Sequence, residues 1–253
     1  MSHAPTTAVI LAAGMGTRLQ ALHNNRPKGL IPLDGVRPVP RSLGLLDAAG
    51  IANVVLVTGW QADAYVEVLA REFPSVQRVH NPDFARTGSM HSLYLARPRL
   101  PADFLFLESD LLYEPRALTA LLEAPRRNAV LLSGPTEQGD EVHAYGENGR
   151  LGALTKQRRP GPPPVGEFVG MGRLTAEFYD RMCRHFEDLG TLQAGNYHYD
   201  DALTALAAEH PLHLVVVPDL VWCEIDDPSH HARALQHTLP RLKQLPAPQP
   251  RRA

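Results

Sequence analysis

The sequence predicts an α/β protein with a doubly wound, mostly parallel sheet, and three observations lead to this fold class. Short apolar runs such as residues 8–11 and 53–57 are typical of strands that are buried on both faces. Segments with helical spacing alternate with these runs through the first 133 residues. Polar and glycine-containing segments follow several of the runs, as expected for loops at the carboxyl ends of parallel strands.

Each element of the first half is predicted from its own pattern. Strands are expected at residues 8–11, 53–57, 76–80, 103–107 and 129–133. Helices are expected at residues 41–50, 61–73, 90–96 and 115–123. Gly50 is a typical residue at a helix end, and Pro115 is a typical residue at a helix start.

The second half predicts a small antiparallel part. Residues 141–145 and 150–155 flank a Gly-Glu-Asn-Gly turn, residues 167–171 form a further apolar run, and 212–217 and 222–227 are short apolar segments. Helices are expected at 175–189 and 199–208. The proline-rich residues 157–166 predict a mobile loop, with a lid as the more specific hypothesis. We expect one domain over residues 1–239 and a disordered tail at 240–253.

Composition excludes several classes of protein. The formal net charge of −2 lacks the positive field of a nucleic-acid-binding protein. No apolar run is long enough to span a bilayer, and the N-terminus has no secretory pattern, so we expect a cytoplasmic protein without a membrane partner. Cys183 and Cys223 lack metal-binding spacing and are expected to be reduced and structural. The 253 residues, 44% of them hydrophobic, suit one globular domain.

The loop after the first strand predicts an anion site. Its small residues let a ligand approach the backbone, whose N–H groups can face an anion. Arg18 and Lys28 add positive charge, which a simple tight turn does not need, and we expect a nucleoside triphosphate there. Leu19 stands where a dinucleotide fingerprint has its third glycine, and the loop also lacks the Gly-Lys-Ser/Thr of a P-loop.

Two aspartates are candidate metal ligands. Asp110 directly follows a buried strand at the edge where the phosphate loop is expected, and Asp226 follows a short apolar segment. Carboxylates in this position suit a divalent cation that is bound together with substrate phosphates. The alternative for each is a helix cap, Asp226 before Pro228 and Asp110 before the segment that follows it.

These motifs resemble the signature of sugar-phosphate and alcohol-phosphate nucleotidyltransferases. The resemblance rests on LAAGMGTRL, RPKG, TGSMHSLY, ESDLLYE, EFVGM and WCEID, which spread over residues 8–226. It is strongest to small cytidylyltransferases of the phosphocholine and phosphonate type, and within these to the 2-aminoethylphosphonate branch. It implies a Rossmann-like fold of the nucleotide-diphospho-sugar-transferase type, with a nucleotide-binding part at about 8–135 and an acceptor-binding part at about 136–239.

The resemblance also implies a role for each candidate residue. Arg18, Lys28 and Lys156 would be catalytic, and Asp110 with Asp226 would hold Mg²⁺. The implied nucleotide-binding residues are Ala12, Ala13, Gly14, Gly16, Thr17, Thr87, Gly88, Ser89 and Ser92. A phosphonate or phosphate monoester is largely dianionic near neutral pH and can attack the α-phosphorus of CTP in line, so no general base is expected.

The acceptor is the open question at this stage. A quaternary ammonium calls for an aromatic cage, whereas a primary amine prefers carboxylates. The choline-type relatives carry a tryptophan after the acid equivalent to Glu141, and here Val142 stands in that place. Candidate acceptor-binding residues are Glu141, Tyr197, Tyr199, Asp200, Asp201 and Trp222.

These residues favour an aminoalkylphosphonate, with hydroxyethylphosphonate also open. The alternatives are a phosphocholine cytidylyltransferase, a sugar-1-phosphate nucleotidyltransferase and, from a different class, a non-catalytic nucleotide-binding domain. The choice between CTP and UTP also stays open, as does a homodimer.

Overall fold

The protein is described here by a computed structural model, which covers residues 4–19, 25–136, 139 and 141–246. Its strands are β1 (Thr7–Ala12), β2 (Asn53–Thr58), β3 (Gln77–His80), β4 (Phe104–Glu108), β5 (Leu111–Tyr113), β6 (Ala129–Ser133), β7 (His143–Glu147), β8 (Arg150–Thr155), β9 (Gly166–Leu174), β10 (His213–Val217) and β11 (Trp222–Glu224). Its α-helices are α1 (Pro38–Ala48), α2 (Ala62–Glu72), α3 (Ser89–Leu95), α4 (Arg116–Glu123), α5 (Ala176–Asp188), α6 (Tyr199–Ala207), α7 (Pro228–Arg233) and α8 (Leu239–Gln244).

A nine-stranded mixed sheet forms the centre of the fold, in the order β3-β2-β1-β4-β9-β6-β10-β8-β7. The pairs β3–β2, β2–β1, β1–β4 and β6–β10 are parallel. Strand β9 runs antiparallel between β4 and β6 and joins the two parallel groups into one sheet. The predicted α/β fold class is confirmed, with both parallel and antiparallel strands in the sheet.

Apolar layers cover the two faces of this sheet. Ala8, Ile10 and Ala12 of β1 belong to one buried cluster, which includes residues of α1, α2 and α4. Val9 and Leu11 of the same strand belong to the other cluster, which includes residues of α3, α5 and α6. A continuous apolar run is therefore the expected sequence of such a strand, because both of its faces are buried.

A third apolar cluster corrects the prediction of a disordered tail from residue 240. Residues 239–244 form α8, and Leu239 and Leu242 are buried against Leu19 and Ile225. The proline at position 240 is tolerated because it lies in the first turn of the helix, where its missing N–H is not needed. Residues 247–253 lie outside the described part of the chain.

Two further predictions concern the environment of the chain. Cys183 and Cys223 are both buried and form no disulfide. Within the described ranges, the helices are all too short or too polar to cross a membrane. The cytoplasmic location stays a prediction.

Candidate active site

A cavity of about 440 Å³ opens at the edge of the sheet where the parallel strands β1 and β4 end. This is the edge at which open α/β sheets bind ligands. We call it the main cavity. The predicted site residues that line it are Ala12, Ala13, Gly14, Gly16, Lys28, Thr87, Gly88, Ser89, Ser92, Asp110, Lys156, Tyr199, Asp200 and Asp226. The fold thus brings residues from both halves of the chain to one site.

The glycine loop, with Gly14 and Gly16, lines the main cavity beside Lys28 and leaves space for a ligand. Gly16 has a φ of +58°, and a Cβ there would lie 2.8 Å from Cγ of Lys28. Glycine is therefore required for both the backbone conformation and the close approach of the lysine. A Cβ on Gly14 would meet nothing within 4 Å, so the space above this residue is open.

Four charged side chains cluster where the loop faces the end of β4. The Nζ of Lys28 donates to Oδ2 of Asp110 at 3.0 Å and also to Oδ1 of Asp226. Arg18 donates to Oδ2 of Asp226 at 2.5 Å, and about half of its side chain is exposed. Asp110 and Asp226 are almost entirely buried, so these contacts compensate negative charge that water reaches poorly.

The pKa values of this cluster follow from its charges. Burial opposes the charge of Lys28, but the two aspartates outweigh that effect and raise its pKa above the usual range. Burial also disfavours the ionised form of Asp226, yet Lys28 first, and then Arg18 and Lys156, lower its pKa below the ordinary value. Lys28 is therefore a fixed positive charge at neutral pH.

A separate two-stranded sheet places the two aspartates side by side. Strands β5 and β11 pair antiparallel, with Glu224 opposite Leu111, and the N–H of Ile225 donates to the carbonyl of Asp110 at 3.0 Å. The capping alternatives do not hold. Strand β5 follows Asp110, and it is Asp227, not Asp226, whose side chain accepts N–H bonds at the start of α7.

The donor set fits a magnesium ion that is shared with a nucleotide. Mg²⁺ takes oxygen ligands and usually binds through one or two carboxylates together with substrate phosphates and waters. Oδ1 of Asp110 is buried and has no hydrogen-bond partner among the described residues, so one carboxylate oxygen remains for a cation. Groups of three or more potential ligands are absent from the part of the chain that the structure describes.

The segment from Thr87 to Ser92 forms one wall of the main cavity. A Cβ on Gly88 would lie 2.2 Å from the carbonyl oxygen of Tyr197, so only glycine lets this wall meet the start of α6. The Oγ of Ser89 lies 3.1 Å from Nδ1 of His198. Asn81, which is fully buried, donates to Oγ of Ser92 at 3.0 Å. The short polar side chains of this wall are therefore held in place before any ligand arrives.

Sequence reasoning missed Glu108 as a site residue. Its carboxylate lines the main cavity at the end of β4, two residues before Asp110, and accepts a hydrogen bond from Tyr199 at 2.6 Å. Burial, reinforced by Asp110, raises the pKa of Glu108 to about 8. An acid directly after the apolar run of residues 103–107 was the available signal, because acids are rarely buried unless they are paired. His198 and Asn196 also line the cavity and were not predicted.

Other predicted residues lie away from the main cavity. Thr17 begins a 3₁₀ turn, Tyr197 bonds to His185 at 3.0 Å in the helical layer, and Asp201 caps the start of α6. Glu141 and Trp222 line a separate small cavity, which we call the side cavity. The residues that line the side cavity are Thr136, Glu141, Val142, Glu167, Phe168, Trp222 and Glu224.

The fold and this site define the class of protein. The site combines a glycine loop, two buried aspartates and a charged lysine at the carboxyl ends of strands in a mixed sheet. This arrangement is expected of an enzyme that binds a nucleoside triphosphate. The chain matches the MobA-like NTP transferase domain over residues 8–243. It therefore belongs to that family, and the prediction of a nucleotidyltransferase is confirmed at this level.

Two proteins of known activity are similar to this chain in sequence. It is 34% identical over 245 residues to a CMP-5'-(3-aminopropyl)phosphonate synthase of Streptomyces rubellomurinus, covering 91% of this chain but only 38% of that protein. It is 27% identical over 193 residues to a 2-aminoethylphosphonate cytidylyltransferase of Lancefieldella rimae, covering 72% of each. The chain thus spans less than half of the first relative's length.

Solved structures support the fold. The inositol-1-phosphate CTP transferase of T. maritima superposes with a TM-score of 0.82 at 19% identity, over 98% of this chain and all of that one. The CTP:phosphocholine cytidylyltransferase of Streptococcus pneumoniae gives a TM-score of 0.76 at 18% identity, over 91% of this chain and 97% of that one. At this identity the likeness concerns the fold.

Proposed function

We propose that the protein transfers CMP from CTP to a small phosphonate, with release of pyrophosphate. Lys28 carries this proposal, because it is a permanently charged lysine held between two buried carboxylates at a strand-end phosphate loop. The names of the two relatives above supply the base and the acceptor class. Among acceptors we propose 2-aminoethylphosphonate or a close homologue, with 2-hydroxyethylphosphonate as the alternative.

Binding of the triphosphate follows from the loop. Its backbone N–H groups and the open space above Gly14 suit a phosphate chain that lies along residues 12–16. Arg18, whose side chain is half exposed and donates to Asp226, is proposed to contact the β- and γ-phosphates. Thr87, Gly88, Ser89 and Ser92 form the wall proposed for the cytosine or ribose.

The transfer needs no protein nucleophile. The acceptor dianion attacks the α-phosphorus, the bond from that phosphorus to the bridging oxygen breaks, and pyrophosphate leaves with both electrons. Lys28 neutralises charge that develops on the transferred group and the leaving group. Lys156 lines the same cavity and is proposed to hold the acceptor phosphonate. Asp110 and Asp226 would hold Mg²⁺, which supplies further charge neutralisation when bound.

The acceptor-binding half of the cavity comes from the start of α6 and the strands beside it. Tyr199 and Asp200 line the main cavity, whereas Glu141 and Trp222 line the side cavity. Burial and the neighbouring Asp201 raise the pKa of Asp200 above its ordinary value. Carboxylates on this side of the site favour an acceptor that carries a positive charge.

Pyrophosphate release across a panel of substrates tests the proposal. The panel pairs CTP or UTP with 2-aminoethylphosphonate, 2-hydroxyethylphosphonate, phosphocholine and glucose-1-phosphate, in the presence of Mg²⁺. We expect the highest kcat/KM with CTP and the aminophosphonate. Release with none of these pairs, from protein that gives a cooperative thermal transition, would contradict the transferase assignment. A preference for glucose-1-phosphate would contradict the acceptor class.

A further inference from the structure

The side cavity adjoins the main cavity but is much smaller. Its volume is about 20 Å³, close to the space that one water-sized group occupies. Val142, Phe168 and Glu224 line both cavities, so these side chains form the boundary between them. A ligand in the main cavity therefore has only this boundary to pass in order to place a small terminal group in the side cavity.

Glu167 points to a missing hydrogen-bond donor in the side cavity. Its side chain lies on β9 and only 5% of the residue is exposed. Oε1 accepts a hydrogen bond from the N–H of Thr136 at 2.9 Å, which fixes the orientation of the carboxylate. Oε2 is buried and has no partner among the described residues, and the same is true of Oγ1 of Thr136 and Nε1 of Trp222 on the same lining. A buried carboxylate oxygen without a donor is costly, so an occupant that donates hydrogen bonds is expected.

The charge of the side-cavity lining indicates which kind of ligand group would donate to Glu167. Three of the seven lining residues are glutamates, and none is lysine or arginine. Glu141 uses Oε1 to accept the N–H of Gly139 at 2.9 Å, so it too is held in place. A cation with several N–H groups can donate to Oε2 of Glu167 and to Oγ1 of Thr136 at once, and a hydrogen bond between charged partners is stronger than one from a neutral donor.

We propose that the side cavity binds the terminal primary ammonium of an aminoalkylphosphonate acceptor, with Oε2 of Glu167 as its hydrogen-bond acceptor. This inference rests on the proposed function, since it places the phosphonate of the same acceptor in the main cavity near Lys156. It makes Glu167, rather than Asp200 of the main cavity, the residue that determines selection for the amine.

The size of the side cavity adds a second selection. An –NH₃⁺ group is about as large as a water molecule and fits the available volume. A trimethylammonium group is several times larger and offers no N–H to Glu167. Trp222, which is buried and lines the side cavity, limits its width. The same cavity therefore selects a primary amine over both a hydroxyl and a quaternary ammonium.

The test compares acceptors that differ only at this end. Pyrophosphate release is measured with CTP and 2-aminoethylphosphonate, 3-aminopropylphosphonate, 2-hydroxyethylphosphonate or the N,N,N-trimethyl analogue of 2-aminoethylphosphonate. We expect the wild-type kcat/KM to favour the better of the two primary amines over the hydroxyl and trimethyl acceptors. In Glu167→Gln this preference over the hydroxyl should fall by roughly 10- to 150-fold, the range for one charged hydrogen bond. The KM for CTP should not change, because Glu167 is absent from the lining of the main cavity.

Controls separate this role from a structural one. Glutamine keeps the Oε1 contact with Thr136, and a thermal transition like that of the wild type confirms folding. Glu147→Gln removes the same charge from the exposed end of β7 and should leave the preference intact. Trp222→Phe widens the side cavity and should raise kcat/KM for an N-methylated acceptor relative to the primary amine, which gives a second measurement if Glu167→Gln fails to fold.

Four results would contradict the ammonium site, and they differ in what they imply for the proposed function. A wild-type enzyme that uses amino and hydroxyl acceptors equally well keeps the proposed function but overturns the ammonium site. The site is also overturned if Glu167→Gln keeps the wild-type preference, as expected if the side cavity holds only a water molecule. Loss of the preference in Asp200→Asn but not in Glu167→Gln would assign the amine to the main cavity. Turnover of no phosphonate at all would overturn both proposals.

Discussion

Replacing Lys28 with methionine is the perturbation whose effects the structure predicts most fully. Lys28 makes one contact to Asp110 at 3.0 Å and a second to Asp226, and all three side chains are less than 20% exposed. Methionine replaces the part of the side chain that lies near Gly16 with one of similar shape, but it lacks the terminal charged group. The variant therefore leaves two neighbouring carboxylates with the half-exposed Arg18 and the charge of Lys156 to compensate them.

The expected loss of stability follows from this burial. Removal of one partner from a buried ion pair costs about 3–5 kcal/mol, and access of water from the main cavity favours the lower end. For a domain of this size, about 3 kcal/mol corresponds to a decrease in Tm of about 6–12 °C. Turnover should also fall by about 100- to 1000-fold, because one fixed charge at the transferred phosphorus is lost.

The pKa shifts of Lys28 and Asp226 predict how this stability contribution changes with pH. Lys28 has a raised pKa, so its contribution to stability is complete below the ordinary value of 10.5 and is lost only as pH rises beyond it. Asp226 has a lowered pKa, so its contribution is present above 3.8 and is lost as pH falls. The Tm difference between wild type and Lys28→Met should therefore be constant from about pH 6 to pH 8 and should shrink as pH falls below the ordinary aspartate value of 3.8, where Asp226 takes up a proton.

Thermal unfolding and steady-state pyrophosphate release measure these effects. Lys243→Met is the matched control, because Lys243 pairs with exposed Asp34 at 2.5 Å on the surface and such pairs add little to stability. Its Tm and turnover should stay close to those of the wild type. An unchanged Tm in Lys28→Met, or a decrease no larger than in Lys243→Met, would refute the reasoning.

Four further changes have defined outcomes. Asp110→Asn should abolish Mg²⁺-dependent turnover while the Tm stays near that of the wild type, since Lys28 keeps Asp226 as its partner; substantial remaining activity would exclude a metal role. Arg18→Ala should raise the KM for CTP more than that for the acceptor, measured by varying each substrate in turn, and equal effects would contradict its place beside the phosphates. Gly88→Ala should lower both Tm and activity, because its Cβ would lie 2.2 Å from a backbone oxygen. Gly44→Ala, in the interior of α1 with open space around the added Cβ, should instead stabilise by about 0.5–1 kcal/mol in denaturant unfolding.

Much of the nucleotide half could be predicted from the sequence because its signals are local. A buried parallel strand needs a continuous apolar run, and β1, β2, β4 and β6 all carry one. The glycines at 14 and 16, with the charges at 18 and 28, follow the first of these runs directly. Their proximity to the sheet edge is therefore a consequence of chain order alone.

Strand pairings between distant parts of the chain could not be predicted from local sequence patterns. Strand β5 has only three residues, and nothing in them shows that β11 pairs with them more than 100 residues later. That pairing brings Asp226 beside Asp110 and buries α8, which the proline-rich composition of residues 240–253 had hidden. Likewise, the sequence does not show that β9 enters the middle of the sheet, which is what carries Glu167 into the side cavity.

The sequence by itself determined that the chain is an α/β protein and predicted a candidate phosphate loop, a positively charged lysine near it and two candidate metal ligands, because each of these depends on residues that are close in the chain. The tertiary structure alone decided which acids face which cavity. Asp201 caps a helix, Asp200 lines the main cavity and Glu167 lines the side cavity, although all three are carboxylates at the end of an element. Burial and hydrogen-bond partners distinguish them, and both are fixed only when distant strands pack together.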